Sequence, residues 1–404
     1  MRGVALRSAL AVAVASTAAV AALVAAGPAR AATPGGTTVA APAGTASPAV
    51  PAGSGSALDR AVGRLVGNKD GPPGVIVVVD RYGRIAVHTG GTSSPGSSVP
   101  IAATDHLRLA SVSKAYSGAV ALSLVSKRVL SLRSTVGRWL PTLPHQWSAV
   151  TLGELLQHTS GIPDFSQTKG FAQALKASPL TAPAPQTLLT YVTDPKLLFH
   201  PGSDYHYSNS DNIIVALMAQ AATGMSYGQE LASVVFGPLS LAGTSLPVGA
   251  AMPTPFAAGN DLDPPQPPTD VTSLFAAGWS WASGGIVATP LDATTFIRAY
   301  ARGAMTNPTT RAAQFRFRTG SSEPPGPGVN SAGLGIFRYR TRCGTVYGHT
   351  GNTPGYTQFV AATADGTRSV TVSVNAQITP KVNGGAFEAL RAVFAQGVCA
   401  AFGR

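Results

Sequence analysis

"RLASVSKAYSGAVALSLV", Arg108 to Val125, sets a serine three residues ahead of a lysine at the start of a stretch that reads as helix. Residues three apart on a helix are neighbours on one face, so Lys114 is expected beneath the Ser111 hydroxyl. A serine hydroxyl is a weak nucleophile until a base takes its proton. Lysine serves as that base only where desolvation or nearby positive charge lowers its pKa. A helix N-terminus adds partial positive charge and free N–H groups beside a developing anion. The same pair also fits an ordinary helix start, with Ser as N-cap and Lys in solvent. What decides between the two readings lies elsewhere in the chain.

Two later segments decide it. "FHPGSDYHYSNSDN" contains Tyr207-Ser208-Asn209, and "VYGHTGNTPGY" contains His349-Thr350-Gly351. With Ser111 to Lys114 they make three elements in the order S-x-x-K, Y-x-N, H-T-G, set in the contexts "LLQHTSGIPDF", "PGSDYHYSN" and "CGTVYGHTG". On these residues the chain, from about Leu58 to its C-terminus, resembles the serine β-lactamase-like and penicillin-binding family. The Y-x-N and H-T-G version is similar to the class C-like branch, and within it to the secreted D-alanyl-D-alanine carboxypeptidases; class C β-lactamases themselves carry K-T-G.

The resemblance implies roles for named residues. Ser111 is the acylated nucleophile and Lys114 its proton partner, with Tyr207 across the cleft relaying the proton to the leaving amine and later activating water. Which of Lys114 and Tyr207 is the formal base stays open, because coupled groups titrate as a set. Asn209 holds Lys114 and the substrate amide. His349, Thr350 and Gly351 line the cleft on a strand, Gly351 letting substrate lie against backbone. The N–H groups of Ser111 and Asn352 form the oxyanion hole. Arg338 is the expected cation for a substrate carboxylate, with Arg340, on the same strand face, as the alternative. Trp279 is the expected aromatic wall of the pocket, with Phe171 as a second. Asn352 is a departure: carboxypeptidases of this type carry a threonine there that helps hold the carboxylate.

A rival motif is "GWSWA", Gly278 to Ala282, which imitates the G-x-S-x-G nucleophile elbow with its last glycine replaced. Ser280 would then work with Asp292 and His349. That fold requires strands and helices in alternation, and the chain lacks this pattern.

The remaining pattern indicates an α/β (α+β) architecture. "ALDRAVGRLV" has helical periodicity, and "PGVIVVVDRYGRIAVHTGG" reads as a hairpin turning at Tyr82-Gly83. "SDNIIVALMAQAATG" is a helix stopped by Gly224. "AGLGIFRYR", "GTVYGHTG", "GYTQFVAATA" and "RSVTVSVN" are strands, the last pair turned by Asp365-Gly366, and "GAFEALRAVFAQGV" is a closing helix. One antiparallel sheet is therefore expected from both chain ends, flanked by helices. Residues 57–139 and 276–404 make the sheet subdomain, and 140–275 make an inserted, mostly helical one, together a β-lactamase/transpeptidase-like domain over 57–404.

Ahead of it, residues 1–31 carry Arg2, Arg7, a small-residue apolar run and Ala29-Arg30-Ala31, the pattern of a cleaved secretory signal. Residues 32–56 are almost all Ala, Gly, Pro, Ser and Thr and read as a disordered tether. Loss of residues 1–31 removes three arginines and no acid, lowering the net charge from +12 to +9. The cations are scattered, so nucleic acid is excluded as a partner, while a mildly basic exterior suits an anionic cell wall. The two cysteines, Cys343 and Cys399, favour one disulfide in an exported protein over two buried thiols. No metal-ligand spacing occurs, so neither metal nor other cofactor is expected.

The leading functional expectation is a secreted, monomeric serine D,D-carboxypeptidase acting on peptidoglycan stem peptides, with β-lactams as inhibitors. A β-lactamase, a D-aminopeptidase and a carboxylesterase are alternatives on one fold, since pocket walls decide among them. A catalytically silent wall-binding module is the alternative of another class, which the intact Ser111, Lys114 and Tyr207 argue against.

Overall fold

The unbroken apolar run Val75–Val79 leaves no face for water, so it calls for a sheet covered on both sides. The computed structural model describes residues 56–264, 266–380 and 383–404, and it supplies that cover. The signal-peptide reading of residues 1–31 and the tether reading of 32–55 fall outside the described residues. Ser56, the last residue assigned to the tether, instead caps helix α1 (Ala57–Val66) through a reciprocal box with Asp59.

The sheet has eight strands: β1 (Gly74–Arg81), β2 (Arg84–Gly91), β3 (Arg318–Thr319), β4 (Val329–Ala332), β5 (Phe337–Arg340), β6 (Thr345–Thr353), β7 (Tyr356–Ala362) and β8 (Arg368–Val374). Their spatial order is β2-β1-β8-β7-β6-β5-β4-β3, every pair antiparallel. Both chain ends thus meet at the β1–β8 pair, Val75 opposite Val374, as the sequence pattern implies. The edge strand β2 is mostly exposed, whereas β7 is buried along its whole length.

The four longest helices among the described residues are α2 (Ser113–Ser126), α3 (Asn209–Thr223), α4 (Pro290–Arg302) and α5 (Gly384–Ala401). Helices α1 and α5 lie on one face of the sheet and α4 on the other. Helix α2 is buried on every side from Ser113 to Leu124. Its Ala, Ser and Gly residues explain how, since small side chains let neighbours approach all round. A side chain at Gly118 would meet the Tyr300 hydroxyl at 2.5 Å. Although α2 lies within the segment assigned to the sheet subdomain, it packs on α3 of the inserted segment as well as on β6. Truncating a fully buried residue here, such as Leu122, would cost about 2–5 kcal/mol.

Cys343, just before β6, and Cys399, near the end of α5, are joined, with their Cα atoms 5.0 Å apart. Among the described residues no helix is long and apolar enough to cross a membrane.

Candidate active site

Ser111 does not sit in the first turn of α2. It lies in a 3₁₀ turn, Ala110–Val112, that runs into it. Side chains at i and i+3 eclipse in a 3₁₀ turn, which sets Lys114 Nζ 3.1 Å from Ser111 Oγ. Ala110, just before the serine, is held at φ +49°, a left-handed conformation that costs an alanine about 1–2 kcal/mol. His158 (φ +56°), which packs on Tyr207, and Trp281 (φ +35°), next to the cleft residue Ser280, also have positive φ, in keeping with strain gathering at functional sites.

Lys114 is 1% exposed and gives its other two hydrogen bonds to Asn209 Oδ1 (2.7 Å) and the Ser283 carbonyl (2.8 Å). Burial pushes the amine down to about 7, opposed by the charges of Asp164, Glu323 and Asp211. Near neutral pH it therefore exists in comparable charged and neutral amounts. Asn209, first residue of α3, is itself held: its Nδ2 donates to Asp164 Oδ2 and Ser166 Oγ, both at 2.9 Å. That leaves Oδ1 no choice but to face Lys114. Asp164 and Ser166 follow the Gly161-Ile162-Pro163 turn, and in sequence they carry no catalytic signature beyond lying in or next to "SGIPDF". The Ser283 carbonyl belongs to the rival motif's neighbourhood and was likewise missed.

The Tyr207 ring lies under Lys114, with Nζ 4.9 Å from its centroid. Its hydroxyl is buried without a well-formed hydrogen bond, and burial drives its pKa well above the ordinary value, eased by the neighbouring Ser111 hydroxyl. Behind it, His158 packs on the ring at 4.6 Å and bonds Asp211 Oδ2 through Nδ1 at 2.9 Å. Burial pushes His158 down to about 3, so it is neutral.

His349 faces Tyr207 and Phe337, with ring centroids 6.2 and 4.9 Å away. Its Nδ1 meets the Thr350 carbonyl at 2.5 Å, and its Nε2 is buried without a partner. Burial holds its pKa well below the usual value, so the ring is neutral. With Nδ1–H donating to that carbonyl, Nε2 presents a lone pair.

Four expectations change. Gly351 makes room for protein, not for substrate: a Cβ there would lie 2.4 Å from the Leu109 carbonyl and 3.2 Å from Ser111 N. Its smallness lets β6 press on the nucleophile turn. Thr350 is fully buried and donates its hydroxyl to the Pro324 carbonyl at 2.5 Å, so it cannot reach a substrate. Arg338 is opposite Tyr347 in the β5–β6 pair, and its guanidinium lies over the Phe317 ring at 4.7 Å and bonds Ser331 Oγ. Alternation along β5 turns it away from Phe337, the neighbour that does face His349 and Tyr207. Arg340 is opposite Thr345, five residues short of Thr350 and so about 17 Å along the strand.

The cleft in front of Ser111, about 340 Å³, is lined by Ser111, Asn209, Ser280, Ser283 and Asn352 on its polar side. Phe165, Phe171, Leu175, Phe275 and Trp279 line the other. Trp279 stands edge-on to Phe171 at 5.7 Å, as an aromatic wall should. Ser280 borders the cleft without the partners its motif requires. Asp292 accepts from Gly243 N and Thr244 Oγ1 instead, and the sheet is antiparallel. Among the described residues no group of three or more His, Cys, Asp or Glu is placed to hold a metal.

A family model described as Beta-lactamase matches residues 58–394. Penicillin-binding protein 4* of Bacillus subtilis (strain 168) is 30% identical over 156 residues, 38% of this chain and 33% of that protein. Protein flp of Staphylococcus aureus (strain N315) is 25% identical over 178 residues, 43% of this chain and 34% of that one. The matched stretch is thus about a third of the length of these relatives. Among solved structures, a D-stereospecific amidohydrolase from a Streptomyces species superposes with a TM-score of 0.73 at 24% identity, covering 84% of this chain and 98% of that one. A penicillin binding protein from Bacillus halodurans gives 0.66 at 19% identity, covering 81% and 99%.

Proposed function

The chain belongs to the β-lactamase family and is a serine hydrolase of the β-lactamase/penicillin-binding fold, and from that premise we propose that it cleaves amide bonds of D-amino-acid peptides and amides through an acyl-enzyme on Ser111. The observation that carries the proposal is the hydrogen-bonding state of Lys114. In its neutral form the amine keeps two N–H bonds, to Asn209 Oδ1 and Ser283 O, and its lone pair falls on Ser111 Oγ.

Lys114 is then the base. It takes the Ser111 proton as Oγ attacks the acyl carbon, and the oxyanion forms against the N–H groups of Ser111 and Asn352. Tyr207 cannot readily be a phenolate, because burial raises its pKa. It acts as a relay, giving its proton to the leaving amine while taking one from the Lys114 ammonium. Water then attacks the ester by the reverse route, and Ser111 regains its proton. We also propose that the protein works outside the cytoplasm after loss of residues 1–31, which brings it to cell-wall peptides.

The D,D-carboxypeptidase reading requires a grip on a terminal carboxylate. With Thr350 sequestered and Arg338 and Arg340 directed elsewhere, the site favours substrates whose leaving amine carries none. Names of two fold neighbours, a D-stereospecific amidohydrolase and a D-amino acid amidase from Ochrobactrum anthropi, are in line with amides. Intact-protein mass spectrometry after a labelled penicillin, followed by a peptide map, tests the core of the proposal. One adduct on Ser111 is expected. An adduct on Ser280, or labelling of Ser111→Ala, would refute it.

A further inference from the structure

We propose that Glu323 sets the specificity of the leaving-group side of the cleft, turning away substrates that end in a free carboxylate and admitting leaving amines that are neutral or cationic. The inference rests on the acyl-enzyme proposed at Ser111.

Glu323 lies on the loop of residues 320–328, between β3 and β4. That loop is clamped on both sides of it. Tyr205 Oη donates to the Ser321 carbonyl at 2.5 Å, and Ser322 Oγ meets Tyr339 Oη at 2.9 Å. Thr350 Oγ1 donates to the Pro324 carbonyl, so the residue next to Glu323 is fastened to the H-T-G strand itself. The clamps tie the residues flanking Glu323 to Tyr205, two residues before Tyr207, and to Thr350, next to His349, which sets the loop beside the relay. Glu323 is exposed as a whole, while burial around its carboxyl and the charge of Asp164 raise its pKa above the usual carboxylate range, and among the described residues it forms no ion pair or hydrogen bond. The charge reaches the centre nonetheless, for it raises the pKa of both Lys114 and Tyr207.

Three arginines of the neighbouring strands and of α5 are committed elsewhere. Arg318 is committed to the Gly202 carbonyl, Arg338 to Ser331 and the Phe317 ring, and Arg391 to the Pro325 and Gly326 carbonyls. The strand to which this loop is fastened carries two unpaired acceptors. His349 Nε2 presents a lone pair without a partner. Asn352 gives its Nδ2 to the Ile378 carbonyl, which fixes the amide and leaves Oδ1 buried and unpaired. A carboxylate there would face these lone pairs and the glutamate's charge, with the Tyr207 hydroxyl as the one donor the relay supplies. An amide N–H or an ammonium would satisfy them.

The experiment compares kcat/KM for an N-acyl-D-Ala-D-Ala peptide and its C-terminal amide in the unmodified protein, Glu323→Gln and Glu323→Lys. A preference for the amide is expected, shrinking about tenfold in Glu323→Gln and reversing in Glu323→Lys, as a single charge change at this range predicts. Where peptide turnover is too slow, the same ratio is read from acylation by a penicillin and its methyl ester. A ratio indifferent to residue 323 would overturn this inference while leaving the acyl-enzyme intact. Failure of every probe to acylate Ser111 would overturn both.

Discussion

Replacing Asp164 by asparagine removes the largest of the charges that tune the base. Lys114 Nζ reaches Asp164 Oδ2 through one intervening amide, by bonds of 2.7 and 2.9 Å on either side of Asn209. The two charges therefore stand roughly 7 Å apart, and at an effective dielectric of about 20–40 their attraction is about 1–2 kcal/mol, or about one pKa unit. Asp164 favours the ammonium, so removing its charge lowers the Lys114 pKa from about 7 toward about 6. Acylation needs the neutral amine and rises with pH through that value. At pH 6 the neutral fraction is about 10% in the unmodified protein and about 50% in the variant. The measurement is the rate of acylation by nitrocefin in stopped flow from pH 5 to pH 9. The variant also leaves Ser166 N or Oγ short of an acceptor, since both bond Asp164 Oδ1. That loss costs about 1–3 kcal/mol and can depress the plateau; a turn of Asn209 would set its NH₂ against the ammonium and lower the midpoint in the same direction, so the sign of the shift is the test. A midpoint equal to or above that of the unmodified protein, or a flat profile between pH 6 and 8, would refute the reasoning.

Tyr207→Phe keeps the ring under Lys114 and removes only the relay, so acylation by a peptide should fall ~10²–10⁴-fold; wild-type hydrolysis would end the relay role. Thiol titration of denatured, unreduced protein should find no free thiol. The closed loop spans 56 residues, worth about 4 kcal/mol in the chain-entropy model, so a Cys343→Ser, Cys399→Ser pair should lower the melting temperature. N-terminal sequencing of protein recovered from culture medium should begin near Ala32, and recovery only of chains starting at Met1 would contradict export.

How much of this was legible in the sequence depends on the range of the interaction. The hairpin at Tyr82-Gly83, the helix ended by Gly224 and the turn at Asp365-Gly366 are local devices, and periodicity with a glycine reveals each. The grouping of Ser111, Lys114, Tyr207, Asn209 and His349 was legible because three short motifs carry it in order. The direction in which a side chain points was not. Arg338 looked right by type and position, yet its orientation follows from the alternation of β5, which Phe337 anchors from the other face. Thr350 fits its motif, but whether its hydroxyl is free depends on a carbonyl 26 residues earlier.

The same distinction accounts for the groups that sequence reasoning passed over. Asp164 and Ser166 touch no substrate. They act on Asn209, which acts on Lys114, and no spacing rule links residues 45 and 43 positions apart. Ser283 contributes a main-chain carbonyl, which no side-chain motif can encode. Yet these groups decide the chemistry. With two N–H bonds fixed by Asn209 and Ser283, the lone pair of a neutral Lys114 has one remaining direction, toward Ser111. Were Asn209 free to flip, it would offer its NH₂ to the amine, and the base would lose both its orientation and one of its acceptors. Asp164 prevents the flip by accepting from that NH₂, and its charge raises the amine's pKa while burial lowers it. One carboxylate thus fixes the geometry of the base and, with Glu323 and Asp211, moderates its strength, which is why burial leaves Lys114 near neutrality and not far below it.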